Sequence, residues 1–217
     1  MSKKIVGYSY DMQNWQDTNI TTGTYSAFGK ADDRTLVACG GSAVGIKYST
    51  DSGKTWQDTN ITTGGYNAFG KADDGTLVAA SESAGIKYSV DNGKTWQDTD
   101  TTSGSYAAFV KADDGTLVAC SYGSGNGNGI KYSVDNGKTW QDTNIKSGRY
   151  LAFGKTDDGT LVAGGSDVGI KYSTDSGKTW QDTDIMSGYY AAFIKADDGT
   201  LVAGGLGVDI KYLPALF

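Results

Sequence analysis

Pairs of adjacent aspartates recur along the chain and are the first side chains that could carry out chemistry. They stand at Asp32-Asp33, Asp73-Asp74, Asp113-Asp114, Asp157-Asp158 and Asp197-Asp198. Two carboxyl groups at a suitable separation can hydrolyse a glycosidic bond, one as the acid and the other as the base or nucleophile. Four of the five pairs are followed by Gly-Thr, however, and Asp and Gly are the residues that tight turns require. We therefore interpret the pairs as turn residues and predict no catalytic residue among them.

Other side chains suited to catalysis are scarce. The 217 residues include no His, a single Glu (Glu82) and two arginines, Arg34 and Arg149. General acid-base catalysis at neutral pH relies most often on His or on carboxylates with a shifted pKa. Neither aspartate motif has the ligand spacing of a calcium-binding loop. The sequence therefore predicts a protein that is not an enzyme and that holds no metal and no cofactor.

A tyrosine preceded six residues earlier by Asn or Asp recurs five times. The pairs are Asn19 and Tyr25, Asn60 and Tyr66, Asp100 and Tyr106, Asn144 and Tyr150, and Asp184 and Tyr190. An aromatic face can cover the apolar side of a sugar ring while an amide or carboxylate binds its hydroxyls. Five shallow sites of this kind would bind glycans with avidity. These ten residues are the candidate sites of a lectin-like, carbohydrate-binding module. The alternative is that the tyrosines pack in the core and the Asn or Asp side chains satisfy loop backbone.

These residues belong to a repeat that is most visible at the tryptophans. Consecutive tryptophans lie 41, 40, 44 and 40 residues apart, at Trp15, Trp56, Trp96, Trp140 and Trp180. A period of this length is typical of a solenoid or a propeller. One unit predicts strands at Tyr66–Ala72, at Leu77–Ala80, at Gly85–Ser89 and around Trp96, separated by turn residues. With 32 Gly and no sustained 3.6-residue period, helix is not expected.

A four-stranded sheet of this size cannot bury two apolar faces alone, but radial stacking of several sheets buries both. The sequence thus predicts an all-β, five-bladed β-propeller of four-stranded antiparallel blades, forming a single domain over residues 1–217. Pairing of the N- and C-terminal strands would close the ring and remove exposed edges. Either the N-terminal segment supplies only the Trp15 strand, or it supplies a hairpin that displaces the C-terminal copy. The repeats are 24–58, 65–98, 105–142, 149–182 and a fifth unit formed by 1–17 plus 189–212.

The stretch S-x-D-x-G-K-T-W resembles the Asp-box, or BNR, repeat of sialidases and related propellers. Full copies stand at Ser49–Trp56, Ser89–Trp96, Ser133–Trp140 and Ser173–Trp180. The resemblance implies a turn between the third and fourth strands of each blade. It also implies a non-catalytic relative, because sialidases of this family hold the substrate carboxylate with an arginine triad and this chain has two arginines. The architecture is similar to that of five-bladed propeller lectins of the tachylectin type.

Comparison of the units separates a uniform face from a variable one. The Asp-Asp-Gly turns and Asp boxes are nearly identical and share one face, whereas the loops on the opposite face differ. Variable loops on a fixed scaffold are where ligands are expected to bind. A second possible function is therefore a protein-interaction scaffold, and a third is a recently duplicated or engineered propeller without an evolved ligand. The scaffold's patch would consist of Tyr122, Lys146, Arg149, Met186 and Tyr189.

The overall charge and the ends of the chain restrict the partners further. A net charge of −6 and a pI near 4.6 disfavour nucleic-acid binding, which requires concentrated positive charge. The N-terminal residues lack the apolar run of a signal peptide, and no segment is long enough to insert into a membrane. We expect synthesis in the cytoplasm and a monomer.

Two local features lead to specific structural predictions. Cys39 and Cys120 occupy the same position in two units and are expected to be reduced, buried thiols. Arg34 replaces the Gly of the Asp-Asp-Gly turn in the first unit. If the turn is retained, a residue with a side chain adopts positive φ there, at a cost of about 1 kcal/mol.

Overall fold

The structure is a computed structural model that describes residues 13–123 and 129–215. Within these residues every regular element is a β-strand. The described part contains no helix that is long and apolar enough to cross a membrane. The segments 1–12 and 124–128, which include most of the N-terminal repeat and part of one variable loop, lie outside the described residues.

The strands of the described residues recur in the order that the repeat predicts. The first strands of the units are β1 (Tyr25–Lys30), β5 (Tyr66–Lys71), β9 (Tyr106–Lys111), β13 (Arg149–Lys155) and β17 (Tyr189–Lys195). The second strands are β2 (Leu36–Gly40), β6 (Leu77–Ser81), β10 (Leu117–Ser121), β14 (Leu161–Ser166) and β18 (Leu201–Leu206). The third strands are β3 (Ile46–Ser49), β7 (Ile86–Ser89), β11 (Ile130–Ser133), β15 (Ile170–Ser173) and β19 (Lys211–Leu213). The fourth strands are short and follow each Trp: β4 (Gln57–Asp58), β8 (Gln97–Asp98), β12 (Gln141–Asp142) and β16 (Gln181–Asp182).

Each set of consecutive strands forms one antiparallel sheet, which we call a blade. In the described residues the first four blades have four strands each, and the last blade has three, β17, β18 and β19. The first strands of neighbouring blades contact one another in the series β1, β5, β9, β13, β17, so they form the inner edge of the stack. Five antiparallel sheets stacked in this way confirm the five-bladed β-propeller.

The two ends of the chain do not pair in the described residues. Trp15 lies outside any strand and its side chain is 85% exposed. The third-strand position of the last blade is held by β19, which pairs with β18. The C-terminal copy is therefore not displaced by an N-terminal hairpin. β17 also makes no contact with β1 comparable to those between the other first strands, so the predicted pairing of terminal strands is not found among these residues.

The turns follow the predicted chemistry. At the second blade's Asp-Asp-Gly turn, Gly75 has a φ of +86°. This conformation is unfavourable for any residue that has a Cβ atom. Arg34 occupies the same position in the first blade with a φ of +74°, and its N–H donates to Ala31 O at 3.1 Å. The turn is thus retained despite the substitution, and the predicted strained residue is confirmed.

The Asp box is a turn between the third and fourth strands that closes on its own side chains. In the first blade the Ser49 hydroxyl donates to Asp51 Oδ1 at 2.8 Å and accepts the Gly53 N–H at 2.9 Å. Asp51 also accepts the Thr55 N–H at 2.9 Å and the Thr55 hydroxyl at 2.7 Å. These bonds, the Thr55 N–H first among them, lower the pKa of Asp51 to about 2.

The core lies between blades rather than within a single layer. At the first boundary, Val37 and Ile46 of the first blade pack against Tyr66, Leu77 and Trp96 of the second. Equivalent clusters lie at the next three boundaries. The tryptophans of the second, third and fourth blades are buried, Trp56 is half-buried, and only Trp15 departs from the predicted packing. Cys39 and Cys120 are buried free thiols, as predicted.

Candidate functional site

The five candidate tyrosines lie at the boundaries between blades. Tyr66, Tyr106, Tyr150 and Tyr190 are buried, and Tyr25 on the first blade is half-buried. Each buried ring is part of the apolar cluster between its blade and the preceding one. Burial raises the pKa of Tyr66 to about 12 and raises the pKa of Tyr106 and Tyr150 further. A buried ring has no free face on which a sugar can stack, so these four rings form part of the core.

The candidate Asn and Asp side chains connect neighbouring blades. Asn60 Nδ2 donates to Trp96 O at 2.8 Å, and the Trp96 N–H donates to Asn60 Oδ1 at 2.8 Å. Asn19 makes the same two bonds with Trp56, and Asn144 makes them with Trp180. Both polar atoms of each amide are thereby occupied by backbone. The pattern of a polar residue six positions before a tyrosine thus reflects an inter-blade clamp, and the predicted sugar contact is corrected accordingly.

The two aspartates among these candidates lack the complete clamp. Asp100 Oδ1 accepts the Trp140 N–H at 2.9 Å, but a carboxylate cannot donate to the Trp140 carbonyl. Asp184 has no hydrogen-bond partner among the described residues, because its counterpart would be the fourth strand that the last blade lacks there. Within the described part of the chain, the five positions therefore form three complete clamps, one partial clamp and one free carboxylate.

The paired aspartates also have structural partners. In the first pair, Asp33 Oδ1 accepts the Thr35 N–H at 2.9 Å, which lowers the pKa of Asp33. Asp32 forms an ion pair with Lys71 of the next blade. One carboxylate thus closes the turn and the other links two blades. No cluster of three or more His, Cys, Asp or Glu suited to a metal ion is found in residues 13–123 and 129–215.

A partly exposed Tyr-Arg pair lies on the variable face. Tyr122 follows β10 and is 45% exposed, and Arg149 is the first residue of β13 in the next blade. The Arg149 guanidinium carbon lies 4.5 Å from the centre of the Tyr122 ring. This distance is that of a cation–π interaction, which holds two flexible side chains in one arrangement. The pair crosses the boundary between the third and fourth blades.

The neighbouring blades add exposed apolar side chains to this face. Met186 lies in the loop before β17 and is exposed, and Tyr189 begins β17 half-buried. Tyr189 pairs with Leu206 across the first two strands of the last blade, and Leu206 is exposed. Lys146 is exposed in the corresponding loop of the fourth blade. We call Tyr122, Lys146, Arg149, Met186 and Tyr189 the variable-face patch.

Sequence comparison identifies the repeat but does not extend over the chain. The model of the BNR/Asp-box repeat matches residues 87–98 and 131–142. Both segments run from the third strand through the Asp box to the fourth strand. None of the curated proteins compared with the chain matches it significantly.

Solved structures with the same fold are numerous, and the following three have low sequence identity to this chain. The computationally designed Ika8 protein has a TM-score of 0.65 at 15% identity, over 88% of this chain and 58% of its own. The GH74 enzyme of Niastella koreensis has a TM-score of 0.65 at 22% identity, over 91% of this chain and 31% of its own. Virginiamycin B lyase of Staphylococcus aureus has a TM-score of 0.62 at 14% identity, over 88% of this chain and 69% of its own. The chain is therefore a β-propeller that carries BNR/Asp-box repeats at residues 87–98 and 131–142, and it spans only part of these longer propeller chains.

Proposed function

We propose that the protein is a non-enzymatic binding module that recognises a protein partner through the variable-face patch. The contact between Arg149 and Tyr122 carries the proposal. The pair joins an exposed Tyr and a half-buried Arg at a place where the other units have different residues, in a chain whose opposite face is nearly uniform. A preformed surface loses less conformational entropy on binding than one that must become ordered.

The composition of the patch favours protein over sugar. Tyr, Arg and Met are enriched at the centres of protein interfaces, and Tyr and Arg are the residues whose removal most often costs binding energy. A sugar stacks on an open aromatic face, but the Arg149 guanidinium already lies over one face of Tyr122. Four of the tyrosines that suggested repeated glycan sites are buried. A protein partner that carries acidic side chains would fit Lys146 and Arg149, with apolar contacts at Met186.

The absence of catalysis is part of the same proposal. The chain has no His and one Glu, and the first aspartate pair is engaged in its turn and in an inter-blade ion pair. Several propellers of similar fold are named as enzymes, but the likeness is below 25% identity and supports the fold alone. The side chains described at the variable face are suited to recognising a ligand rather than transforming one.

Site-specific photocrosslinking tests the proposal. A benzophenone amino acid is placed at Met186 and, as a control, at Val90, a similarly exposed apolar residue in an Asp box on the uniform face. We expect a discrete crosslinked partner from position 186 alone, and loss of that crosslink in a Tyr122→Ala/Arg149→Ala variant that retains its fold. The partner, once identified, should bind the purified protein with an affinity at least about 100-fold higher than it binds the variant.

Two results would count against a protein partner. One is the same set of crosslinks from both positions, because this would indicate non-specific contact. The other is binding to a related set of glycans on an array that disappears in the Tyr122→Ala/Arg149→Ala variant. That outcome would favour the carbohydrate-binding function predicted from the sequence, but at the patch rather than at the ten repeated Tyr, Asn and Asp residues.

A further inference from the structure

The first three internal boundaries join the same two surfaces. The front face of a blade presents the Val of its second strand and the Ile of its third, and the back face of the next presents Tyr, Phe and Trp. At the first boundary Val37 packs against Gly93 so closely that a Cβ on this glycine would overlap the valine. Val78 and Gly137, and then Val118 and Gly177, repeat the contact. At each of these boundaries a valine of one blade therefore packs into the space left by the missing side chain of an Asp-box glycine in the next blade. We call this space the notch.

Among the described residues, no neighbouring blade covers the back face of the first blade. Phe28 is 67% exposed, whereas its counterparts in the next three blades are half-buried. Above Gly53, the glycine equivalent to Gly93, the only described atoms within 4 Å of an added Cβ belong to Leu36 and Trp56 of the same blade. A groove of about 340 Å³ remains, lined by Phe28, Gly53 and Trp56 among others. The notch for a valine is present and unfilled.

The front face of the last blade is the complementary surface. Val202 stands at the position of Val37 and is half-buried, although its counterparts are buried. Ile210 stands at the position of Ile46 and is 76% exposed. Ile194, at a position where the first blade has glycine, is also exposed. The third blade has Val110 at this position, and Val110 packs against the core cluster, so a branched side chain fits at such a boundary. The last blade thus carries an apolar surface that no described residue covers.

Charged residues at these two faces are complementary in the same way. At each internal boundary a Lys at the end of the first strand forms an ion pair with the first Asp of the preceding blade's turn. The pairs are Lys71 with Asp32, Lys111 with Asp73, Lys155 with Asp113, and Lys195 with Asp157. This series leaves Lys30 on the first blade and Asp197 on the last, and neither forms an ion pair within the described residues.

The segment around Trp15 matches the strand that the last blade lacks. In the first blade Lys47 and Tyr48 of β3 lie opposite Asp58 and Gln57 of β4. The two charged residues form an ion pair, and the Tyr48 hydroxyl donates to Gln57 Oε1 at 2.8 Å. All four complete blades repeat both contacts.

In the last blade the corresponding groups of β19 have no fourth strand opposite them among the described residues, although Lys211 Nζ lies 3.9 Å from Asp209 Oδ2 just before β19. Lys211 and Tyr212 are exposed at the edge of that blade, and Asp17 and Gln16 follow Trp15 just as Asp58 and Gln57 follow Trp56. Asp184 is likewise available to accept the Trp15 N–H, as Asp100 accepts that of Trp140.

We infer that the back face of the first blade, with the Trp15 segment, binds the front face of the last blade of a second copy of this chain. Within the described residues of one copy the two faces are not joined, because β17 makes no extensive contact with β1 and Trp15 is exposed. The contact joins two different surfaces, so it is heterologous and repeats from copy to copy until a ring closes. The structure thus argues for a cyclic oligomer in place of the monomer that the sequence predicted.

Sedimentation velocity over a range of concentrations tests the inference with the intact 217-residue protein. We expect species whose masses are multiples of 22.8 kDa. Phe28→Glu on the back face and Ile210→Glu on the front face should each weaken self-association at least about 100-fold, because each introduces an unpaired charge into an apolar contact. Val134→Glu, an exposed site on the uniform face of the third blade, should leave association unchanged. Circular dichroism checks that each variant is folded.

Mixing the two variants separates this contact from other modes of association. Phe28→Glu retains an intact front face and Ile210→Glu an intact back face, so the mixture should form a 1:1 complex although neither variant associates alone. A charge exchange gives a second readout. Lys30→Asp should weaken association, and combining it with Asp197→Lys in the same chain should restore it. A wild-type protein that stays at 22.8 kDa at all concentrations, or variants that fail to complement each other, would overturn the inference.

Discussion

The Asn60 side chain makes two hydrogen bonds with the backbone of Trp96. Its amide nitrogen donates to the Trp96 carbonyl and its amide oxygen accepts the Trp96 N–H, each at 2.8 Å. The two residues are 36 positions apart and belong to the linker before the second blade and to that blade's last turn. The amide therefore fixes the outer part of a blade to the loop by which the chain enters it.

Replacing Asn60 with Ala should destabilise the protein by about 2 kcal/mol, because it leaves a backbone donor and acceptor without partners in a partly buried place. Chemical denaturation of the variant and wild type gives the difference. The matched control is Asn67→Ala, which removes the same side chain on the same blade outside the clamp. This control should change stability by less than about 0.5 kcal/mol. Equal effects of the two substitutions would show that the clamp contributes little.

Substitution of Asp100 by Asn should stabilise the protein by about 1 kcal/mol. The carboxylate accepts the Trp140 N–H but cannot donate to the Trp140 carbonyl, and an amide at this position would complete the clamp seen at Asn60 and Asn144. The midpoint of thermal unfolding is a sufficient measurement. A lower midpoint for the variant would mean that the third blade uses its aspartate in another way.

Arg34→Gly should also stabilise the protein, by about 1 kcal/mol, because Arg34 adopts a φ of +74° that glycine accepts at lower cost. The gain is reduced by the greater entropy of glycine in the unfolded chain. The inverse substitution Gly75→Arg places the same side chain in the equivalent turn of the second blade and should destabilise it by a similar amount. Urea denaturation of both variants would test the pair, and opposite signs are expected.

Trp96→Ala should cost about 3 to 5 kcal/mol, since the indole is buried at a boundary between blades and its Nε1 donates to Gly93 O at 3.0 Å. Trp56→Ala should cost less, about 1 to 2 kcal/mol, because its indole is half-buried on an uncovered face. The comparison is best made by denaturant unfolding in the Ile210→Glu background, which removes the proposed contact between copies. A loss below about 1 kcal/mol for Trp96→Ala would contradict its role in the core.

Acid should destabilise the protein in a defined interval. The pKa of Asp51 is about 2, compared with 3.8 for a free aspartate, because the Thr55 and Ser49 groups hydrogen-bond its charged form. The pKa values of Asp91, Asp135 and Asp175 are lowered as well. Burial acts to raise these three values, but the threonine and serine hydrogen bonds together outweigh it.

As pH falls, the unfolded chain takes up protons at these positions before the folded one does, so this contribution is complete above about pH 4 and is lost toward pH 2. Urea midpoints measured from pH 7 to pH 2 should be nearly constant at first and then decrease. An Asp51→Asn variant should be less stable at pH 7 and show a smaller decrease. A midpoint that is unchanged between pH 4 and pH 2 would show that the boxes do not stabilise the fold through their charge.

The strands were predictable from one unit because each is bounded by a turn with its own chemistry. The predicted strands Tyr66–Ala72, Leu77–Ala80 and Gly85–Ser89 differ from the observed β5, β6 and β7 by one residue at an end. The inter-blade contacts were less accessible to sequence reasoning. A tyrosine that follows a variable loop has the same local pattern whether its ring faces solvent or a neighbouring blade, and only the packing of Tyr66 against Val37 distinguishes the two.

The sequence placed Arg149 and Tyr122 in one patch, but it did not predict their direct contact, because the two residues lie in different units at no repeated spacing. Ring closure depends on the angle between neighbouring blades. Many small contacts together determine this angle, and no local sequence pattern indicates it. The recurring Asn or Asp before each tyrosine was visible as a pattern, but its partner lies almost a full repeat away.

The contact between Val37 and Gly93 is repeated with little change at the next two boundaries. A 40-residue segment duplicated between Trp56 and Trp96 would therefore find a matching surface on each side without any further substitution. Gain or loss of whole units by recombination is therefore expected to preserve the contact between neighbouring blades. The number of blades is in this sense free to vary, and the two terminal surfaces, together with the angle between blades, determine how a given length is closed.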